Sequence, residues 1–486
     1  MSQGGCGHLI YHARLILKVA SLTNTGISMR KHATLLCFPL LAALTSLPAQ
    51  ANPFEKTLPN GLKVVVREDH RAPTVVNMVW YRAGSIDEKD GTSGVAHVLE
   101  HMMFKGTKKV GPGEFSKRVA AAGGKDNAFT SRDYTAYFQQ VPKEKLAEVM
   151  DLEADRMGNL QLTDKEFAPE IKVIMEERRM RTDDQPAALV SEVLESVAFQ
   201  AHPYRRPVIG WMDDLEHMTG EDARQWYRTW YAPNNATVVV VGDVDHNAVF
   251  RLAEKYYGGY KAHALPERKP QNEPEQTGIK RLVVKAPAKL PYLLMAWKVP
   301  KLKDLDKDRE SYSLEMLAGV LDGHGAARFA KRLVRETQVA QSAGAGYDGT
   351  LRGEALFMLD GQPAQGKTVA DLETALRGEL KRIQEEGVTA AELDQVKTQI
   401  IASQVYKRDS MMAQAMEIGM AEAIGLGWRS NDRMLEQLRS VTPEEVQAVA
   451  RKYFNDDALT VAVLDPQPVD DSKPKRPANP AAGHLR

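Results

Sequence analysis

The chain has 486 residues, 43% of them hydrophobic and 26% charged, with 64 basic and 64 acidic side chains. That length exceeds what one hydrophobic core ordinarily serves, so two domains are expected. A formal net charge of zero, with no concentrated basic field, argues against nucleic acid as a partner.

In chain order, Met29-Arg30-Lys31 opens a short basic stretch, Leu35 to Leu47 is an apolar run interrupted by Pro39, and Ala49-Gln50-Ala51 is a small-x-small cleavage signal. This reads as a secretory signal peptide from about Met29 to Ala51, with residues 1–28 an over-extended start. The apolar run is too short to span a bilayer, so the mature chain is expected to carry no transmembrane segment and to be periplasmic or secreted. Loss of Arg14, Lys18, Arg30 and Lys31, with no acidic residue, leaves a net charge near −4. Both cysteines, Cys6 and Cys37, fall in the removed part. Any metal in the mature chain must therefore be held by histidine and carboxylate, and the absence of thiols suits an oxidising compartment.

From Asn52 onward, Leu62–Val66 and Thr74–Trp80 read as sheet strands. Gly91-Thr92-Ser93-Gly94 then leads into a helix whose apolar stripe is Val95, Leu99 and Met103. That helix carries His97-Val98-Leu99-Glu100-His101. His97 and His101 lie one turn apart on one face, with Glu100 on its flank. Two imidazoles leave room on a tetrahedral zinc for a third protein ligand and a water, and a carboxylate beside that water can take its proton. The same two histidines could also be surface or satisfied core residues; the turn-rich entry and apolar stripe favour the metal. A third ligand has to come from elsewhere. Downstream, Glu170 and Glu177 are two turns apart on one helical face with Val173 and Ile174, while Glu176 points about 100° away. A buried face with two glutamates needs a cation; a solvated face with Glu176 paired to Arg179 is the reading this segment alone favours.

The chain repeats itself. Leu215 to Val241 runs from Thr219, a helix cap, through Trp230-Tyr231 into the strand Ala236–Val241. At a constant offset of 223 residues, Leu438 to Leu464 runs from Thr442 and Pro443 through Tyr453-Phe454 into Leu459–Leu464. A duplicated domain is the simpler explanation. Arg281–Val284 and Tyr292–Trp297 match the two opening strands. Residues 262–280, rich in Pro, Glu, Lys and Asn, read as a linker; residues 467–486 read as a disordered tail. The expected layout is thus a catalytic domain over 52–261 and a second, homologous domain over 281–466. Met412, Met416 and Met420 recur at helical spacing and read as core, the stretch 301–309 reads as a solvated loop, and His324 reads as a solvent-facing loop histidine.

The run Gly94-Val95-Ala96-His97-Val98-Leu99-Glu100-His101-Met102-Met103-Phe104-Lys105-Gly106-Thr107 resembles the signature of the pitrilysin/insulinase family of zinc metallopeptidases, which includes the mitochondrial processing peptidases, and its His-x-x-Glu-His order is that of the inverzincins. Further resemblance lies at Asn127-Ala128-Phe129-Thr130-Ser131, His202-Pro203-Tyr204 and Tyr231-Ala232-Pro233-Asn234-Asn235-Ala236, and extends from about Phe54 to Pro466. It implies one zinc ion per chain on His97, His101 and Glu177, with Glu100 as general base and Glu170 orienting a ligand. It also implies that Asn127, Ala128 and Phe129 form an exposed edge pairing with peptide substrates. The implied fold is α+β: two homologous mixed α/β domains closing like a clam shell, each a mainly antiparallel sheet packed with helices. Family members that work as single chains carry an Arg and a Tyr seven apart that reach the active site. Here Arg335 is present but Gln341 or Ser342 stands where the tyrosine is expected, and Tyr347 is twelve residues on. The second domain also has no His-x-x-Glu-His. The resemblance therefore implies a zinc-dependent endopeptidase working as the zinc-bearing subunit of a heterodimer, with a homologous partner supplying the Arg/Tyr pair; the alternative is a non-catalytic structural or peptide-binding subunit.

Overall fold

The computed structural model describes residues 53–469. The signal segment, both cysteines and the chain beyond residue 469 lie outside the described residues. The first half contains β1 (Phe54–Thr57), β2 (Lys63–Glu68), β3 (Thr74–Tyr81), α1 (Val95–Met102), α2 (Glu114–Ala121), β4 (Lys125–Thr130), β5 (Thr135–Pro142), α3 (Leu146–Asn159), α4 (Asp164–Arg178), α5 (Pro186–Ala198), α6 (Met212–His217), α7 (Gly220–Trp230), β6 (Ala236–Gly242) and α8 (His246–Tyr257). The second contains β7 (Lys280–Pro287), β8 (Tyr292–Val299), α9 (Arg309–Asp322), β9 (Ala340–Tyr347), β10 (Ala355–Pro363), α10 (Val369–Glu386), α11 (Ala390–Asp409), α12 (Met411–Ile424), α13 (Ser430–Ser440), α14 (Pro443–Tyr453) and β11 (Leu459–Gln467). Among the described residues no helix is long and apolar enough to cross a membrane.

Each half is built on one mainly antiparallel sheet. The first has strand order β1-β2-β6-β3-β5-β4, the second β7-β11-β8-β10-β9. Among the described residues only β2–β6 and β11–β7 are parallel. The two orders superpose as β2/β7, β6/β11, β3/β8, β5/β10 and β4/β9, so the duplication read from residues 215–241 extends to whole sheets. The repeated caps are alike: Thr219 and Thr442 each accept from the backbone N–H three residues on and form capping boxes with Asp222 and Glu445.

Strands such as β6 (Ala-Thr-Val-Val-Val-Val-Gly) are apolar on both faces, and both faces of the sheet must be covered. One face of the first sheet packs on helices of its own half, α1, α3 and α7, around Val64, Val66, Val79 and Val240. The other face is covered by α12 of the second half, whose Met412, Ala415, Met416, Ile418 and Met420 meet Val65, Met78, Trp80 and Val239. The methionine stripe is therefore core, but the core of the opposite half. Reciprocally, α5 of the first half places Val190, Leu194 and Ala198 on the second sheet against Leu294, Ala296 and Ala462. The two helices occupy equivalent places in the repeat, so the halves exchange them.

Residues 262–277 contain neither helix nor strand but are firmly bonded. Glu273 accepts from the backbone N–H groups of Gln200, Ala201 and His202 and pairs with Lys298 at 2.8 Å. Despite its burial, those bonds hold its carboxyl down at about 2. Arg268 pairs with Asp87 at 2.6 Å. The stretch 301–309 is less solvated than its charge suggests: Leu302 is buried and the Lys301 ammonium donates to the Arg352 carbonyl. His324 is half-exposed, its Nδ1 accepting from the Ala326 N–H.

Candidate metal centre

All eight residues of α1 are buried, including His97, Glu100 and His101. The helix starts at Gly94, whose φ of 87° is in the left-handed region. A Cβ there would also press on the Ile209 carbonyl and lie 2.8 Å from the Gly210 Cα, so only glycine lets the 209–210 backbone pass. Gly94 has no side chain to cap the helix. The buried carboxylate of Glu88 does so instead, accepting from the Gly94 and Ala96 N–H groups at 2.8 and 2.9 Å. Burial pushes Glu88 up to about 7 against those two bonds. Asp214 accepts from the Ser93 N–H at 3.0 Å, which fixes the entry loop.

Helix α4, capped by Thr163, crosses α1 and brings its glutamates to the two rings. The ring centroids of His97 and His101 are 4.8 Å apart. Glu177 Oε2 lies 3.3 Å from His101 Nε2 and 3.8 Å from His97 Nε2. One ligand atom from each of the three falls within 4.8 Å of the others. Ligands about 2.0–2.1 Å from a tetrahedral zinc stand about 3.3 Å apart, so this cradle has the right size. The donor chemistry fits too: His101 Nε2 is buried without a hydrogen-bond partner of good geometry among the described residues. The other ring nitrogen, Nδ1, meets Glu170 Oε1 at 2.9 Å, and Glu170 Oε2 in turn meets the Lys105 ammonium at 2.5 Å. A carboxylate on Nδ1 fixes the tautomer that leaves Nε2 free to ligate.

The electrostatics favour a cation between these groups. Burial, with His101 nearby, lowers His97 to about 3, leaving a neutral donor. Burial pulls His101 down as well, but Glu170 on Nδ1, the Glu177 carboxylate close to Nε2 and the charge of Glu100 outweigh it and raise the ring to about 9. Glu177 is held at about 2: burial opposes this, while the close approach of His101 and the charge of Arg181 prevail. Just past Glu177, residues Arg179–Asp183 form a π-helical turn, a feature frequent at functional sites. From it Arg181 approaches Glu177 Oε1 at 2.7 Å. Glu176 points elsewhere and pairs with Arg179 at 3.2 Å.

Glu100 is 2% exposed, and burial raises its pKa. The Thr130 hydroxyl donates to its Oε2 at 2.5 Å. Thr130 ends β4, the edge strand of the first sheet, which packs against α1. Asn127, Ala128 and Phe129 precede it. Ala128 is buried on the α1 side, Phe129 packs on Trp80 and Tyr134 on the other side, and the Ala128 N–H donates to Asn127 Oδ1 at 2.8 Å. Ala128 thus belongs to the core and Phe129 packs against it, while the backbone edge of β4 has no strand beside it among the described residues. Thr130 is not among the residues singled out in the sequence; the signal that could have found it is strand alternation, which puts it on the same face as Ala128. Glu88, Lys105 and Arg181 carried no such signal.

Two family models match: one described as insulinase (peptidase family M16) over residues 63–211, and one described as peptidase M16 inactive domain over residues 217–400. A zinc protease PqqE of Helicobacter pylori is 33% identical over 425 residues, covering 84% of this chain and 92% of that protein. The chain belongs to peptidase family M16. An Arabidopsis thaliana protein named as a mitochondrial-processing peptidase subunit beta is 26% identical to this M16 chain over 466 residues, covering 94% of it and 86% of the plant protein. A solved protease from Helicobacter pylori superposes with a TM-score of 0.81 at 30% identity, covering 86% of this chain and all of that one. The zinc proteases of M16 are thus its relatives, and its two-sheet fold is theirs.

In the second half, Arg335 Nη1 donates to the Gly325 carbonyl at 2.7 Å and the Tyr347 hydroxyl donates to the Pro300 carbonyl at 2.6 Å. Both are engaged within their own half.

Proposed function

We propose that this chain is a zinc-dependent endopeptidase acting on peptides or unfolded segments, with His97, His101 and Glu177 as metal ligands and Glu100 as general base. The observation that carries the reading is the convergence of two buried imidazoles and one carboxylate, with a further buried carboxylate, Glu100, on the same helix as the imidazoles but outside that donor cluster. Held by His97, His101 and Glu177, zinc would supply Lewis acidity towards the scissile carbonyl and the attacking water. Glu100 takes the proton of the attacking water onto its carboxylate and passes it to the departing amine. Glu170 keeps the His101 ring oriented through Nδ1. The open edge of β4 aligns an extended peptide by backbone pairing, which suits loose side-chain preference.

We further propose that the chain is exported and works beside a homologous subunit, because Arg335 and Tyr347 are occupied within their own half and Gln341 or Ser342 replaces the expected tyrosine. The function is tested with Glu100→Gln on the zinc-loaded protein. Peptide cleavage is expected to fall by at least about a hundredfold while zinc content stays at one ion per chain; unchanged cleavage means that Glu100 is not the base. The partner is tested by assaying the chain alone and after co-expression with its nearest paralogue, where turnover should rise only in the pair.

A further inference from the structure

Thr130 makes the one hydrogen bond to the Glu100 carboxylate among the described residues, and no ligand or base role accounts for it. We propose that Thr130 is the positioning residue of the general base: its hydroxyl holds Oε2 of Glu100 so that Oε1 is left to receive the proton from water. This inference rests on the assignment of Glu100 as the base.

A glutamate side chain has three rotatable bonds, and a hydroxyl donor on one oxygen selects a single carboxylate orientation from several. Threonine suits the task because its β-branch restricts χ1, so the donor is itself pre-set. The backbone beneath it is fixed from both sides. Before it, β4 is laddered to β5, with Thr130 opposite Thr135. After it, the turn closes through the Ser131 N–H to the Tyr134 carbonyl at 2.8 Å, and Ser131 Oγ accepts from the Asp133 and Tyr134 N–H groups at 3.1 and 3.2 Å. The turn is then gripped by the second half: Arg352 donates from its guanidinium to the Asp133 carbonyl at 2.8 Å and from its backbone N–H to Asp133 Oδ2 at 3.1 Å. The Tyr204 hydroxyl donates to Asp133 Oδ1 at 2.5 Å. One hairpin, anchored by Tyr204 of its own half and Arg352 of the half that lacks the metal motif, thereby carries both the peptide-pairing edge and the group that aims the base.

The test compares Thr130→Val, which keeps the shape and removes the hydroxyl, with Thr130→Ser, which keeps the hydroxyl. Each is assayed in the zinc-loaded full-length chain with an internally quenched unstructured peptide, enzyme in excess, so that single-turnover rate and half-saturating enzyme concentration are read separately. A crystal structure of zinc-loaded Thr130→Val accompanies them. The expected result is a rate about tenfold or more lower for the valine variant, half-saturation within about twofold, full zinc content, a displaced or disordered Glu100 carboxylate, and recovery to within about threefold of the parent in the serine variant. An unmoved carboxylate with an unchanged rate overturns the proposal. So does a valine variant that changes only half-saturation, or a serine variant as slow as valine, because the hydroxyl is then not what matters. If the parent chain cleaves nothing, the position of the carboxylate in the crystal decides. Glu100→Gln separates the two levels: an active Glu100→Gln removes the peptidase reading itself, whereas an inactive Glu100→Gln beside a fully active Thr130→Val removes only this one.

Discussion

Replacing Arg352 by methionine should weaken the junction between the two halves. Arg352 and Asp87 are both almost fully buried, their side chains 6% and 3% exposed, and the guanidinium meets both carboxylate oxygens at 2.9 and 3.0 Å. Methionine fills much of the volume but leaves Asp87 short of its bidentate partner and the Asp133 carbonyl short of a donor. Removing one member of a buried pair costs about 3–5 kcal/mol. Arg268 remains 2.6 Å from Asp87 and keeps its charge partly neutralised, which places the expected loss at the low end, about 3 kcal/mol. Removing the charge as well, in Asp87→Asn/Arg352→Met, should recover about half of that loss. The assay is equilibrium urea unfolding of the two single variants, the double variant and the parent. A loss under about 1 kcal/mol for Arg352→Met, or strictly additive single-variant losses, would refute the reasoning, since buried pairs are expected to couple.

Three further outcomes follow from the same packing. Gly94→Ala should cost at least about 2 kcal/mol, from the left-handed backbone and the close 209–210 segment, and should lower zinc affinity because α1 shifts; thermal unfolding with and without added zinc reads both. Gly419→Val should destabilise by about 1–3 kcal/mol by overpacking, because a Cβ at Gly419 runs into the Trp80 indole; unfolding followed by tryptophan fluorescence checks it, and a neutral variant means that α12 is not seated on the first sheet. Asp87 has a folded pKa below the 3.8 of the free carboxyl, burial opposing and Arg352 and Arg268 prevailing. Its contribution is therefore complete above that value and is lost as pH falls through the depressed folded pKa; urea midpoints of the parent should fall more steeply below pH 3.8 than those of Asp87→Asn/Arg352→Met.

Much of this was legible because local signals agreed. Threonine caps, β-branched runs and the offset of 223 residues marked α7, α14, β6 and β11, and the period of α1 put His97 and His101 on one face. Helix period alone left Glu170 and Glu177 as a plausible solvated face, and only their meeting with α1 distinguishes the two readings. The helix exchange was not legible, since α5 and α12 are apolar enough to cover either sheet and nothing local says which sheet each covers. A hint existed in β6: a strand apolar on both faces needs two covering layers, and the first half has helices for one. The polar segment 262–277 misleads in the other direction. Its composition suggests a free linker, while Arg268 pairs with Asp87 and Glu273 caps the backbone of residues 200–202, both far off in sequence. Arg352 was invisible for the same reason, as a lone arginine in a loop.

The most direct test is diffraction from the full-length chain at the zinc absorption edge. One anomalous peak is expected, within about 2.0–2.2 Å of His97, His101 and Glu177, with Glu100 near it but not ligating. No ion after growth in excess zinc, or an ion bound elsewhere with the Glu177 carboxylate turned from both rings, would contradict the account.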